Sequence, residues 1–304
     1  TPDLVVGVRG ARGQHAGALV VLGSATPSLE TLENVRRGRY RLVQMKKRVD
    51  DRPMPTISLV DLRTERPKDH ATPDNAVPML SAPLRQAIGE TLSKGQQTIL
   101  FLNRRGHSTF LVCVVCGQSL RCPNCDVALT QHLSTRTLQC HYCGLSEPVP
   151  HECPQCRGEI LKLGFGTERI EAEVADAYPH ARVARLDRDA VTTAERLTEM
   201  LAGFARREID ILVGTQMVAK GHDFPGVTLV AIIMADAALA LPDFRASERT
   251  FHLLTQVAGR AGRGVDPGRV LVQSYNPEAS AVAHMLRHDF EGFSSDELRR
   301  RQVL

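Results

Sequence analysis

Tryptophan is absent from these 304 residues, and aromatic side chains make up only 4% of them. A core with so few rings must be aliphatic, which suits parallel α/β folds. Long apolar runs are missing too. The longest, residues 18–22 and 229–235, fall far short of the roughly 18 residues that a membrane span needs. No membrane partner is expected. Neither sign of charge dominates: the formal net charge of +4 permits contact with nucleic acid without demanding it. No signal peptide opens the chain, which starts at Thr1 rather than Met and so reads as a fragment or a processed chain. Its length suits about two domains with proper cores.

Cysteine is lacking everywhere except residues 113–156, where all eight occur. They form four Cys-x2-Cys knuckles, Cys113/Cys116, Cys122/Cys125, Cys140/Cys143 and Cys153/Cys156, separated by five, fourteen and nine residues. Each knuckle points two thiolates at one tetrahedral centre with Zn–S distances of about 2.3 Å, so four knuckles make two zinc sites. Gly117, Pro123, Gly144 and Pro154, each directly after a cysteine, supply turn residues. Disulfides would need an oxidising compartment, whereas zinc thiolates need thiols that stay reduced, and this usage indicates the cytoplasm. The knuckles can pair sequentially, interleaved or nested. Fourteen residues between Cys125 and Cys140 match a zinc-ribbon hairpin, so Cys122, Cys125, Cys140 and Cys143 make a natural inner site. Cys113, Cys116, Cys153 and Cys156 are then left to clamp the two ends of the insertion.

Around this window the pattern is α/β. Strands are predicted at 18–22, 57–60, 98–102, 182–186, 209–213, 229–234 and 270–273. Helices are predicted at 29–37, 84–94, 168–178, 194–206 and 247–261. Strands alternating with helices of this length indicate a doubly wound parallel sheet. Residues 50–83, rich in proline, read as an extended linker. The basic residues from Arg36 to Arg48 form either a solvated face or a DNA-facing surface.

Two segments carry chemistry. Residues 209–213 are a buried strand ending in Gly214-Thr215-Gln216, which places polar groups at the carboxyl edge of the sheet, where such folds bind ligands. Thr215 suits a phosphate oxygen, and Asp223 can accept from a ribose hydroxyl or serve as a turn residue before Pro225. On the predicted helix after Ser247, Phe251, Leu254, Ala258 and Ala261 share one face, while Gln256, Arg260 and Arg263 form an opposite, exposed stripe. Arginine suits bidentate phosphate contact and transferring phosphoryl charge.

At these residues the chain resembles the superfamily 2 helicases. VLGSATPSLE (residues 21–30) looks like motif III, FLNRRG (101–106) like motif IV, GTQMVAKGHDFPGVTLV (214–230) like motif V, and QVAGRAGR (256–263) like motif VI. Four knuckles between motifs IV and V resemble the arrangement of the bacterial replication-restart helicases of the PriA family. The resemblance implies a RecA-like parallel-sheet helicase lobe 2 interrupted by a small two-zinc domain, with a remnant of lobe 1. The expected boundaries are 1–49 for the end of lobe 1, 50–83 for a linker and 84–112 for the first part of lobe 2. The zinc insertion follows at 113–160, then the second part of lobe 2 at 161–275 and a C-terminal helical tail at 276–304. It implies ATP-driven 3′ to 5′ unwinding of branched DNA, then primosome assembly, with forks, single strands, primosome proteins and single-stranded DNA-binding protein as partners. Its residue assignments are Ser24 and Thr26 to coupling hydrolysis with movement, Gly221 and Asp223 to the nucleotide, and Gln256, Arg260 and Arg263 to ATP phosphates. Thr215, Arg104 and Arg105 go to DNA. The same nested pairing of knuckles is implied.

The chain departs from the family pattern in two places. No Gly-x4-Gly-Lys-[Ser/Thr] loop and no Asp-Glu-x-His segment occurs, so ATP and Mg2+ belong to an intact enzyme and this chain alone should not hydrolyse ATP. A family motif VI that opens His-Arg is here Gln256-Val257, and no role transfers to Val257. Two alternatives stand beside the helicase reading. One is another superfamily 2 translocase with an inserted zinc ribbon, against which GSATPSLE and the knuckle placement argue. The other is a zinc-dependent docking module for DNA or protein with a non-catalytic helicase shell.

Overall fold

Runs of apolar residues that exclude water on both faces can pair only inside a sheet, and the chain's longest such runs do so. The computed structural model describes residues 13, 15–45, 54–65, 79–103, 110–132, 135, 137–163, 166–187, 189–218, 223–264 and 266–303. Arg104, Arg105 and Gly221 lie outside these residues, as do Lys46, Lys47 and Arg48 of the basic stretch. The chain divides into two units, residues 53–289 and residues 1–52 with 290–304.

In chain order, helix α1 (Leu29–Arg36) is followed by β1 (Thr56–Asp61), α2 (Ala82–Ser93) and β2 (Gln97–Phe101). The insertion holds β3 (Phe110–Cys113), β4 (Thr130–His132), β5 (Thr137–Gln139), β6 (Ser146–Pro148) and β7 (Ile160–Leu163). Then come α3 (Thr167–Ala177), β8 (Val183–Leu186), α4 (Ala194–Ala205), β9 (Ile211–Gly214) and β10 (Val227–Ile232). A 3-10 turn (Ala235–Ala238), α5 (Ala246–Ala258), β11 (Arg269–Ser274), α6 (Ser280–Leu286) and α7 (Phe290–Val303) complete the order.

In the larger unit β1, β11, β10, β2, β9 and β8 lie side by side in that order, every neighbouring pair parallel. Every residue of β2, β9 and β10 is buried, as a sheet covered on both faces requires. Leu100, Ile211, Val213, Leu229 and Ala231 share one core cluster with Leu84 and Ile88 of α2 and Ile170 and Val174 of α3. The alternating residues between them project to the other face, where α5 packs against β10. Local signals set the helix starts. Ser81 Oγ accepts from Leu84 N at the head of α2, and Thr193 Oγ1 accepts from Arg196 N at the head of α4. The strand expected within 50–83 is β1, paired with β11 from Thr56 to Asp61. Buried Gln273 fastens the segment before α2 to the sheet: its side chain accepts from Ser81 N and donates to Met79 O and Ile233 O.

The insertion leaves the carboxyl edge of the sheet after β2. Its base is the antiparallel pair β3–β7, and beyond it lies the three-stranded sheet β4-β5-β6. Its apolar centre is small, built on Leu111, Leu120, Val127, Leu129 and Leu138 with Cys122 and Cys140. So few aliphatic groups cannot fix a loop-rich segment, and a structural metal is the usual remedy.

In the smaller unit Ser28 caps α1, its Oγ accepting from Thr31 N at 3.2 Å. Arg301 of α7 pairs with Glu297 at 3.1 Å and approaches Glu30 of α1 at 3.9 Å. The strand predicted at 18–22 does not form: Leu19 and Val21 are 92% and 82% exposed, and no backbone pairing orders them. An apolar run adopts strand geometry only against a neighbouring strand that satisfies its amides. Among the described residues of this unit there is no such strand. The C-terminal segment 276–304 is shared, with α6 in the larger unit and α7 in the smaller.

Candidate functional site

All four knuckles fold alike. The residue after each second cysteine donates its N–H to the first cysteine's carbonyl: Gly117 to Cys113, Asp126 to Cys122, Gly144 to Cys140 and Arg157 to Cys153, at 2.8–3.0 Å. These four residues have φ of +73°, +48°, +76° and +57°, so the left-handed turn position falls on Asp126 and Arg157 as well as on the two glycines. Pro123 and Pro154 sit inside their knuckles instead. Each first cysteine in turn donates its N–H five residues on, to Gln118, Val127, Leu145 and Gly158.

The knuckles meet in nested pairs. The sulfurs of Cys113, Cys116, Cys153 and Cys156 lie within 4.8 Å of one another, as do those of Cys122, Cys125, Cys140 and Cys143. Sγ separations of 3.5 Å for Cys113–Cys156, 3.7 Å for Cys116–Cys153 and 3.6 Å for Cys122–Cys143 compare with about 3.8 Å across a tetrahedron of 2.3 Å Zn–S bonds. The electrostatics of the thiols point the same way. The Leu145 N–H brings the Cys143 thiol down to about 6, while burial and its three sulfur neighbours push Cys125 up to about 12. In the outer set burial drives Cys116 up to about 12. Burial also opposes ionisation of Cys113, but the N–H groups of Cys116 and Val115 bring it down to about 7. Four thiolate charges cannot share so small a space without a cation. A dication with soft-ligand affinity meets that need. The two cysteine tetrads fit two zinc ions.

The outer site is seated on the main sheet. A Cβ on Gly117 would lie 1.9 Å from Tyr275 O, so the knuckle backbone touches the chain just past the carboxyl end of β11. There Asp236, wholly buried, accepts from Ser274 Oγ, from Tyr275 N at 2.7 Å and from Asn276 N at 3.1 Å. Asp236 joins the ends of β10 and β11 beneath the zinc knuckle. Sequence reasoning passed over it, although a single carboxylate ending the run LVAIIMAD is a visible signal. Gly117→Ala is expected to speed loss of the outer zinc and lower the melting temperature. Gly144→Ala separates the causes, since its φ is also left-handed but nothing lies within 4 Å of its added methyl. Both variants carry the left-handed cost of roughly 1–2 kcal/mol, and only Gly117→Ala adds the collision. Equal zinc-release rates for the two variants in a chelator assay would remove the seat.

The remaining expected residues separate to opposite edges of the sheet. Thr215 directly follows β9 at the carboxyl edge, near buried Asn103 beyond β2, where Leu102 N donates to Gly214 O. From Thr215 the chain crosses back to the amino edge to begin β10 at Val227. Asp223 therefore sits at the amino edge, not beside Thr215 at the carboxyl edge as its place in the sequence suggests. Phe224 is buried with its ring 4.8 Å from that of Phe204 on α4, which anchors this segment.

Motif VI comes to the same amino edge. The helix predicted to reach residue 261 ends at Ala258, with Gly259 as its C-cap and Gly262 at φ +66°. Arg260 and Arg263 therefore lie in a turn past the helix. Gln256 is exposed on α5, but Arg260 is buried, so the three do not form one exposed helical stripe. The turn is fixed by Gly262 N donating to Val227 O at 3.2 Å and by Arg263 Nε donating to Gly259 O at 3.0 Å. A Cβ on Gly264 would come 2.3 Å from Pro225 O, so motifs V and VI meet backbone to backbone. Arg263 Nη1 approaches Asp223 Oδ1 at 3.6 Å. Burial, then the Arg263 cation, lower the Arg260 guanidinium from its ordinary range, while Asp223 opposes the shift. Two guanidinium groups against one exposed carboxylate leave a cation excess suited to a polyphosphate. Ser24 and Thr26 belong to the smaller unit, where Thr26 is buried and its N–H donates to Ser24 Oγ at 3.2 Å.

Residues 122–148 match the family described as PriA DNA helicase Cys-rich region (CRR) domain, and residues 159–265 match the helicase conserved C-terminal domain. The chain is 45% identical over 292 residues to replication restart protein PriA of Bacillus subtilis, covering 96% of this chain and 36% of that protein. To the protein of the same name from Synechocystis it is 40% identical, covering 94% and 35%. It thus spans about a third of the length of these curated relatives. A solved structure of Saccharomyces cerevisiae Dbp5 bound to RNA and ADP BeF3 aligns at 12% identity with a TM-score of 0.42, over 94% of this chain and 55% of that one. Over nearly its whole length the chain is a homologue of part of replication restart protein PriA, comprising that family's Cys-rich region and an α/β, RecA-like helicase C-terminal domain.

Proposed function

We propose that this chain is the zinc-bearing lobe 2 portion of an ATP-dependent DNA helicase that moves 3′ to 5′ on branched forks and restarts replication by primosome assembly. Homology to replication restart proteins supports the process. The observation that carries the mechanism is the division of the sheet into two chemical edges. Asp223, Arg260 and Arg263 gather at the amino edge as the nucleotide side. Thr215, at the carboxyl edge, marks the DNA side, and Arg104 and Arg105 of motif IV are assigned to DNA by the family resemblance. The zinc insertion follows β2 at the same edge, which supports reading it as part of the DNA side. Helix α5 runs between the edges, about 20 Å for its 13 residues, and links them mechanically.

In this reading Arg260 and Arg263 take the phosphates, Asp223 the ribose, Gly221 the nucleotide as well, and Gln256 supports the arginine turn. Ser24 and Thr26 couple hydrolysis to movement. Residues 1–49 end lobe 1, 50–83 link it to lobe 2, and 276–304 lead onward. Mg2+ arrives with the nucleotide, and primosome proteins and single-stranded DNA-binding protein are the partners at forks in the bacterial cytoplasm. No described helix is long and apolar enough to cross a membrane.

The test is unwinding by a longer polypeptide that also supplies a phosphate loop. It should separate duplexes bearing a 3′ single-stranded tail, with ATP and Mg2+, and leave 5′-tailed duplexes intact. The 304-residue chain alone should bind DNA without hydrolysing ATP. Binding without unwinding by the longer polypeptide would leave the docking-module reading, which has no use for an arginine cluster at the amino edge.

A further inference from the structure

Phe101, Phe204, Phe224, Phe251 and Tyr275 of the larger unit are buried in its core, whereas Phe244, like Tyr142 of the zinc insertion, is about half exposed, at 51%. Phe244 lies between the 3-10 turn that follows β10 and the first turn of α5, at the carboxyl edge of the sheet. We infer that Phe244 with Arg245 forms a stacking site for a base of single-stranded DNA; this rests on the reading of the carboxyl edge as the DNA side.

The loop holds the backbone that carries the ring in place before any ligand arrives. Asp243 Oδ1 accepts from Arg245 N at 2.9 Å, its other oxygen pairs with the Arg249 guanidinium, and its carbonyl accepts from Ala246 N at 2.9 Å. Phe244 is thus gripped on its C-terminal side by a turn that also opens α5. A ring fixed in this way loses little freedom on binding. The Arg245 guanidinium carbon stands 5.2 Å from the centre of the Phe244 ring, a cation–π contact. An aromatic face backed by a cation suits a nucleobase next to its phosphate, and stacking tolerates any base.

The surroundings favour nucleic acid over a protein partner. Protein hot spots sit in continuous apolar patches ringed by polar residues. Here the ring's immediate neighbours in the chain are Asp243 and Arg245, with Arg249 one turn along, and Leu241 and Pro242 are half-buried. The same edge carries Asn103, buried at 3% exposure, whose Nδ2 has no acceptor among the described residues. Strands β10, β2 and β9 are adjacent, so Phe244, Asn103 and Thr215 follow three neighbouring strand ends in order. A single strand crossing this edge would meet a stacking face at Phe244 and a hydroxyl at Thr215.

The stacking site is tested with two strands of equal length, an oligothymidylate and an abasic deoxyribose-phosphate strand, and the zinc-loaded chain. Fluorescence anisotropy at fixed salt should show the wild type preferring the strand with bases. Phe244→Ala should lower affinity for the oligothymidylate about 10-fold or more while leaving abasic binding unchanged, and Phe244→Trp should keep the preference. A loss of equal size on both strands, or none on either, overturns the stacking site. The latter outcome would assign the ring to a protein surface. If the wild type bound neither strand, the DNA reading of this edge would fall with it, a result separate from binding that ignores Phe244.

Discussion

Stripping zinc from the reduced chain is expected to unfold residues 113–160 while the six-stranded sheet survives. The insertion has only a handful of buried aliphatics, whereas the sheet has three wholly buried central strands. Structural zinc sites contribute roughly 10–16 kcal/mol of apparent binding energy, and most of the insertion's order should depend on it. Hydrogen exchange would show protection lost at Leu120, Leu129 and Leu138 and kept at Ile99, Leu212 and Val230. Protection persisting at Leu129 in the zinc-free chain would show that the metal is dispensable. Cys153→Ser should leave one bound zinc by native mass spectrometry, because its ligand set is distinct from the inner set.

Acid should act in the same direction as the chelator. In the metal-free inner set Cys125, pushed up to about 12, keeps its proton at neutral pH, whereas Cys143 is brought down to about 6. Zinc must displace that proton, so its affinity falls as pH falls and loading acidifies a weakly buffered solution.

The other large effect is expected at Arg260. In a polypeptide that also carries the phosphate loop, Arg260→Ala should reduce DNA-stimulated ATP hydrolysis by on the order of 10³–10⁵, the contribution of an arginine finger. DNA affinity should change little, since Arg260 sits at the amino edge and Thr215 at the carboxyl edge. Arg260→Lys should restore charge without activity, because an ammonium cannot make the planar two-point contact. Arg260 is largely buried, so thermal melting of both variants serves as the folding control. Hydrolysis at the parental rate in Arg260→Ala would end the catalytic assignment.

Much of this molecule was legible in its sequence, for identifiable reasons. Knuckles are local: a Cys-x2-Cys turn brings two sulfurs together whatever the rest of the chain does, so two metal sites could be counted from spacing. The strands at 97–101, 211–214 and 227–232 declared themselves by their apolar runs, and the helices between them by their alternation with those strands. The apolar run at 18–22 carried the same local signal and did not become a strand, because a strand exists only when another supplies its hydrogen bonds.

Only the tertiary structure decided which groups meet. By sequence Asp223 is eight residues from Thr215 and forty from Arg263, yet it stands 3.6 Å from Arg263 across a turn. Parallel strands force this: each must begin at the same edge, so the chain after β9 returns across the sheet and carries Asp223 with it. Helix periodicity put Arg260 and Arg263 on an exposed stripe, but three glycines in six residues ended α5 early and let the turn close on Pro225 and Val227. Asp236 shows the same limit. Its three donors come from β11 and the residues just beyond, which lie close to it only because β10 and β11 are neighbours in the sheet. Residue type and spacing determined what each group could do; strand order and direction determined what it could reach.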